Sequence, residues 1–257
     1  MAYSALSDTW YLFVRAMKKV LRTPILIFLS LGQAVLFLWL FTQLFTKFGE
    51  LPGFPAGGYL QFATAGVLVF VVLTPSMQSG NAIVDDINSG FLSKMLATPV
   101  SRSAILLGRL LSDAVMTIIP TAIILTLAYA LGARYVTGVF GILLIFITLA
   151  FFEFAWSGIG LAAGLATKSQ ETVTGLSMVI LAPLVFLSTA LVPQQFLPDW
   201  IKTVSNVNPV SYTVNAVRAL TSTGFDWHAL AAAYAVLALI AAVTMSATLY
   251  QFRKVVK

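Results

Sequence analysis

The chain alternates long apolar runs with shorter polar connections. Six runs stand out, at 25–46, 59–80, 112–131, 139–166, 173–192 and 229–250. Each has roughly the 20 residues a helix needs to cross about 30 Å of hydrocarbon. Backbone polar groups find no water there, so such runs span as helices. The pattern therefore predicts an all-α, polytopic integral membrane protein with six transmembrane helices and a single transmembrane domain over 1–257.

The segments between the runs are patterned too. Across 4–23, Leu6, Trp10, Phe13, Val14, Met17 and Leu21 recur at helical spacing, while Asp8, Arg15, Lys18, Lys19 and Arg22 occupy much of the remaining surface. An apolar face with Trp and Phe opposite a basic face describes an amphipathic helix lying in the membrane interface. Thr23-Pro24 breaks it and turns the chain into the bilayer. Two roles are open to it: a topology anchor, or a lever linking the first span to a partner.

The connection 83–111, IVDDINSGFLSKMLATPVSRSAILLGRLL, is unusually polar for this chain. Phe91, Leu92, Met95 and Leu96 are spaced as one face of a short helix. Asn88 or Ser89 is placed to cap it and Pro99 to stop it. The connection 193–228 is too long for a link and too apolar for a free loop. Pro198 opens one short helix carrying Trp200, Ile201 and Val204, and Pro209 a second carrying Tyr212, Val217, Arg218 and Leu220. Such helices suit an interface or a partial re-entry into the membrane, where irregular backbone is tolerated only if protein or water satisfies it.

Composition narrows the class. Of 257 residues, 59% are hydrophobic and 9% charged, against about 25% charged in a soluble domain; mean hydropathy is +0.94. The pI of 9.7 reflects Lys and Arg placed in loops, not a nucleic-acid partner. Arg15, Lys18, Lys19, Arg22, Lys94, Arg102, Arg109, Lys168, Arg253, Lys254 and Lys257 fall on one side of the predicted topology; Lys47, Arg134, Lys202 and Arg218 fall on the other. Positive charge marks the cytoplasmic face, which places both termini and the 83–111 loop in the cytoplasm. The first apolar run is too long for a cleavable signal h-region and lacks a small-residue cleavage site, so the spans themselves direct insertion.

Candidate chemistry is sparse. There are no cysteines for disulfides or thiolate metal sites, and the single histidine, His228, reads as a loop residue. No Walker-type loop, HExxH, CxxC or GxSxG occurs. Asp85-Asp86 lacks the larger acidic set of a Mg²⁺-dependent phosphotransferase and reads as solvation and capping. Glu153, alone inside a span, is either a proton or cation site or a buried structural acceptor; the absence of a basic partner in sequence reach favours the structural role. Ser157, Gly160, Ala163 and Gly164 form a small-residue face for close helix approach. Pro75, Pro120 and Pro183 are expected to bend their spans. The polar residues within spans, Gln33, Gln43, Ser76, Gln78, Ser177 and Ser188, are candidates for lining a route. They are too few for an ion path but suit an amphiphile.

Several stretches together resemble the membrane subunit of ABC-2 type exporters, near the daunorubicin-resistance permease group. The first is Gly90-Phe91-Leu92-Ser93-Lys94-Met95-Leu96-Ala97-Thr98-Pro99-Val100-Ser101-Arg102, followed by Ile105-Leu106-Leu107-Gly108-Arg109. The second is Phe196-Leu197-Pro198-Asp199-Trp200, then Asn208-Pro209-Val210-Ser211-Tyr212 and Ala216-Val217-Arg218-Ala219-Leu220. The resemblance covers nearly the whole chain. It implies a permease paired as two copies with two ATPase subunits, which hold ATP and Mg while this chain holds no cofactor or metal and is not itself an enzyme. It implies that Gly90, Phe91, Leu92, Lys94, Met95, Leu96, Pro99 and Arg102 belong to a coupling helix docked on that ATPase. In the same way it places the interface helix (Trp10, Phe13, Arg15, Lys18, Lys19, Arg22) beside the coupling helix. It makes the short external helices (Trp200, Asn208, Pro209, Tyr212, Arg218) the cap on the outer end of the route. Asn88 and Ser89 stand where family members often carry a Glu.

The expected function is export of a hydrophobic or amphiphilic compound across a prokaryotic plasma membrane, driven by a separate ATPase. Export of a lipid-linked polysaccharide or other glycolipid by the same architecture is the alternative. An ion-coupled secondary transporter using Glu153 is weakened by the lack of an inverted repeat. An integral-membrane enzyme ranks last for want of a polar constellation.

Overall fold

The computed structural model describes residues 5–22, 24–55, 57–98 and 100–255. The chain forms α1 (Ala5–Leu21), α2 (Pro24–Leu44), α3 (Gly58–Asn88), α4 (Phe91–Leu96), α5 (Arg102–Met116), α6 (Ile118–Ala130), α7 (Gly138–Thr167), α8 (Gln170–Phe186), α9 (Asp199–Val207), α10 (Pro209–Arg218) and α11 (Trp227–Val255). Short 3₁₀ turns at Thr46–Glu50 and Gln194–Phe196 and a π turn at Ala219–Thr223 complete it. No strand occurs among the described residues.

Four helices are long and apolar enough to cross a membrane: Gly58–Asn88, Ala104–Ala130 (α5 running into α6), Gly138–Thr167 and Trp227–Lys254. Leu31–Leu44 and Gln170–Phe186 are apolar but shorter.

The centre of the bundle is α3, whose side chains from Tyr59 to Val84 are buried almost all round. It packs on α7 backbone to backbone. A Cβ on Gly160 would collide with the Met77 carbonyl oxygen, and one on Gly164 would stand 2.6 Å from that of Gly80. The small-residue face read from the sequence thus has its partner in Gly80 and Met77 of α3. Across α7, α11 is held by Thr244 Oγ1 donating to the Ala155 carbonyl and Thr248 Oγ1 to that of Gly158, each at 2.9 Å. Each threonine satisfies its hydroxyl on the neighbouring backbone, the form interhelical polar contacts take where water is absent.

Three boundaries differ from those the sequence predicts. The polar stretch 83–111 is mostly not loop. α3 runs on to Asn88 and α5 begins at Arg102, so only α4 and its two flanks connect them. At 31 residues α3 is about 46 Å long, more than the roughly 30 Å of a hydrocarbon core. Helical hydrogen bonding simply continues past the apolar segment into polar sequence.

The predicted fifth span, 173–192, stops as a helix at Phe186. The side chain of Asn208 takes over the helix-ending carbonyls, its Nδ2 donating to Leu184 O (2.9 Å) and Leu187 O (3.0 Å). Finally, the third span is interrupted at Thr117, between α5 and α6. Pro120, three residues on, has no N–H to offer Met116, and Thr117 Oγ1 instead bonds the Ala114 carbonyl.

Candidate functional site

The termini-bearing end of the bundle gathers α1, the end of α3, α4 and α5 around a second apolar cluster. Ile83, Leu92, Met95, Ile105, Leu106, Leu110, Leu161, Leu165 and Phe252 are all buried there. α3 ends through Ser89 N–H on Asp85 O and Gly90 N–H on Ile87 O. Gly90 sits at φ +68, a conformation that side-chain-bearing residues adopt only at a cost. It turns the chain directly into α4, whose N-cap it forms without any side-chain bond. The capping role read for Asn88 or Ser89 is therefore filled by glycine geometry instead.

α1 is clamped onto this turn. The Arg15 guanidinium donates to both carboxylate oxygens of Asp86, at 2.9 and 3.4 Å, and lies 3.5 Å over the centre of the Phe91 ring. One cation thus ties α1 to the last turn of α3 and the first residue of α4, combining a bidentate charge-assisted pair with a cation–π contact. One turn on, Lys19 pairs with Asp85 at 3.2 Å, and Gln170 of α8 donates to the same carboxylate. At the other end of α1, Asp8 accepts from the Ser101 N–H ahead of α5. Gly108 of α5 lets the helices touch, its backbone lying against Thr9, Leu12 and Phe13. The cavity beneath Arg15 holds only 20 Å³, room for about one water.

The predicted interface residues divide accordingly. Arg15 and Lys19 are engaged in ion pairs, while Lys18 and Arg22 are exposed. Trp10 is 61% exposed and stacks on half-buried Phe13.

The predicted docking set divides too, and two of its members face the other way. Leu92 and Met95 are 3% and 8% exposed and pack inward on α3, α5 and α7. A six-residue helix carries one apolar face, and here that face meets this chain's own core. What α4 presents outward is Ser93, Lys94, Ala97 and Thr98, with Phe91 and Leu96 half-buried at the margin. Pro99 and the side chain of Arg102 lie outside the described residues.

The route candidates are likewise separated. Ser76, Ser177 and Ser188 are buried; Ser76 and Ser177 donate to carbonyls of their own helices, Leu73 and Val173, Ser177 also reaching Met77 O of α3, and Ser188, just past α8, donates to Val185 O. Such bonds to nearby carbonyls are how buried serines satisfy themselves. Gln33 and Gln43 are exposed on α2, and Gln78 is half-buried on α3.

Glu153 is 2% exposed and its Oε2 has no hydrogen-bond partner among the described residues. It is not alone. Arg109 and Asp113 of α5 form an ion pair at 3.1 Å, joined by Ser79 of α3, within electrostatic reach of Glu153. The sequence places Arg109 in a loop; the extension of α5 carries it to the bundle.

The opposite end is built on side-chain caps. Asn208 closes α8 as described, and its Oδ1 accepts from Val210 N to start α10. Arg218 donates to Thr189 O (2.7 Å) and Asn215 Oδ1 (3.1 Å) and lies 3.7 Å over the Phe62 ring, pinning the irregular chain after α8. Gln61 of α3, which sequence reasoning passed over, bonds Arg134 O and Thr221 O and accepts from Arg134 N, all at 2.8 Å. Its signal is an amide inside an otherwise apolar run. Trp200 is exposed on α9, and the Tyr212 hydroxyl donates to Asn206 O.

A bundle of long apolar helices, with a short helix clamped at the termini-bearing end and capped half-helices at the other, defines a polytopic membrane protein. The sequence matches the family model described as ABC-2 type transporter over residues 7–222, and the chain belongs to that family. Its relatives include the daunorubicin resistance ABC transporter permease protein DrrB1 of Streptomyces coeruleorubidus, 30% identical over 217 residues, 84% of this chain and 76% of that protein. The putative transport permease ycf38 of Cyanophora paradoxa is 30% identical over 224 residues, 84% of this chain and 75% of its own. The probable doxorubicin resistance ABC transporter permease protein DrrC of Mycobacterium tuberculosis (strain ATCC 25618 / H37Rv) is 30% identical over 135 residues, about half of each chain.

Proposed function

We propose that this chain is the membrane subunit of an ATP-driven exporter of hydrophobic or amphiphilic compounds. It works as two copies with two separate ATPase subunits that bind ATP and Mg. The helices cross a prokaryotic plasma membrane six times, α2 and α8 being the two shorter crossings, with both termini in the cytoplasm. The observation that carries the reading is the clamp at α4. Arg15 locks the α3–α4 turn to α1, while Ser93, Lys94 and Ala97 face outward with their side chains free among the described residues, and exposed Thr98 bonds only back to the Met95 carbonyl. A short helix held rigidly from behind and bare in front is suited to passing a push from a partner into α3 and α5. The resistance permeases among the relatives support the drug-like cargo. Arg109 pairs with Asp113 and makes no hydrogen bond to Glu153 among the described residues, so the lack of a direct basic partner still favours a structural role for that carboxylate over an ion-coupling one.

The test targets the outward face, because Leu92→Asp would place a charge in the core and report folding instead. Ala97→Glu and Lys94→Glu, expressed with the ATPase subunit that co-purifies with the unaltered permease, are expected to abolish co-purification of that subunit and ATP-dependent efflux. The melting temperature of the purified permease should be unchanged. Retention of both co-purification and efflux in the two variants would sink the reading.

A further inference from the structure

We propose that the cleft at the end of the bundle away from the termini binds a neutral, polyhydroxylated ring, the glycosyl part of a larger molecule. The cleft encloses about 140 Å³, room for on the order of ten waters and comparable to one sugar ring. Thr189 enters from the chain after α8, Gln194 from the 3₁₀ turn, Asn206 from the end of α9, and Ser211, Tyr212 and Asn215 from α10. No aliphatic and no charged side chain lines it among the described residues. In a chain that is 59% hydrophobic, so many amides and hydroxyls on one concave surface calls for a cause.

Hydrogen-bond accounting supplies one. Thr189 Oγ1 donates to Asn215 Oδ1 (3.0 Å), Thr189 N–H to Ser211 Oγ (3.2 Å), Gln194 Nε2 to Asn206 Oδ1 (2.5 Å) and the Tyr212 hydroxyl to Asn206 O (2.8 Å). Arg218 fixes Asn215 from behind. Each of the three amides is thus held at one end and open at the other. Asn215 Nδ2, Asn206 Nδ2 and Gln194 Oε1 make no hydrogen bond among the described residues. Exchanging O and N in the Gln194–Asn206 pair leaves the same number of free ends.

The surface offers donors and acceptors side by side, which is what a ring of hydroxyls needs, since each hydroxyl both gives and takes a hydrogen bond. The half-buried Tyr212 ring adds one flat face. An anion finds no cation here, because Arg218 is spent on Thr189, Asn215 and Phe62 and Lys202 on Asp199. A cation finds no carboxylate, and an apolar amphiphile finds only polar groups to leave unpaired.

The glycosyl group has two possible sources, the exported molecule or a glycolipid of the facing leaflet. The site does not depend on the ATPase reading, because binding is measured without nucleotide. Full-length protein is placed in lipid nanodiscs, free of sugar-headed detergent. Binding of methyl β-glucopyranoside and methyl β-maltopyranoside is followed by saturation-transfer NMR, and separately nanodiscs containing glucosyl diacylglycerol are assayed by native mass spectrometry. Saturable binding is expected. It should weaken about tenfold in Asn206→Leu and in Gln194→Leu, the loss of one or two neutral hydrogen bonds, with melting temperatures unchanged because both side chains are exposed. Binding of the soluble glycosides assigns the site to the sugar of an exported molecule; binding of the glycolipid alone assigns it to the membrane. Absence of saturable binding to any of these probes, or binding that both variants retain in full, overturns the proposal.

Discussion

Arg15 does at one point what would otherwise take several contacts. It ties α1 to both α3 and α4, and its partner Asp86 is 14% exposed, so solvent screens the pair less than a surface ion pair. A coupling of about 1 kcal/mol between Arg15 and Asp86 is expected. It is measurable as a double-mutant cycle on thermal unfolding of Arg15→Gln, Asp86→Asn and the pair. Efflux should fall severalfold in each single variant and by less than the product of the two in the double, because the shared ion pair is lost only once. Additive losses in efflux would show that the two residues act separately. At the far end Asn208 is the comparable residue, serving two helices with one amide. Asn208→Ala should cost about 1–2 kcal/mol of stability. Asn208→Asp keeps the acceptor for Val210 N–H but sets a carboxylate against two carbonyls, so it should be no better than alanine. A mild Asp variant would mean that the bonds to Leu184 and Leu187 carry little.

At the scale of elements, the α3–α7 contact is the one that tolerates least. A single methyl at residue 160 meets the Met77 carbonyl, which is backbone and cannot swing aside. Gly160→Ala should therefore destabilise the purified protein by about 1–3 kcal/mol, read as a lowered melting temperature in detergent, although alanine is the better helix former. An unchanged or raised melting temperature would contradict the close approach. This contact was legible in advance as the run SGIGLAAGL, because small residues at helical spacing have few other uses in an apolar helix. The helices themselves were legible for the same kind of reason, since twenty apolar residues admit one backbone solution. Their ends were not. α3 and α5 outrun their apolar segments because hydrogen bonding alone carries a helix onward, and α8 stops early because Asn208, some twenty residues downstream, supplies its cap. The apolar spacing of α4 was readable, but not which side it faced. Leu92 and Met95 look the same on paper whether they meet a partner or the chain's own α5.

The same limit sets what can be decided for the molecule as a whole, where sidedness rests on charge. The basic residues of α1, α4 and the end of α11 collect at one end, and Asp199, Lys202 and the neutral cleft lie at the other. In the proposed topology, with positive charge retained in the cytoplasm, α4 lies inside and α9 outside. The chain has no cysteine, so an introduced thiol has no background. Ser93→Cys on the bare face of α4 and Thr203→Cys on the exposed side of α9 should respond oppositely to a membrane-impermeant maleimide. Thr203→Cys should be labelled in intact cells, and Ser93→Cys only in inverted vesicles or after permeabilisation. ATPase co-expression should then protect Ser93→Cys and leave Thr203→Cys reactive, because the proposed docking face and the cleft lie toward opposite ends of α3, a helix of 31 residues and about 46 Å. Labelling of Ser93→Cys in intact cells would invert the topology and remove the ATPase from α4. Labelling from inside without protection would keep the topology and move the docking surface elsewhere on the cytoplasmic face.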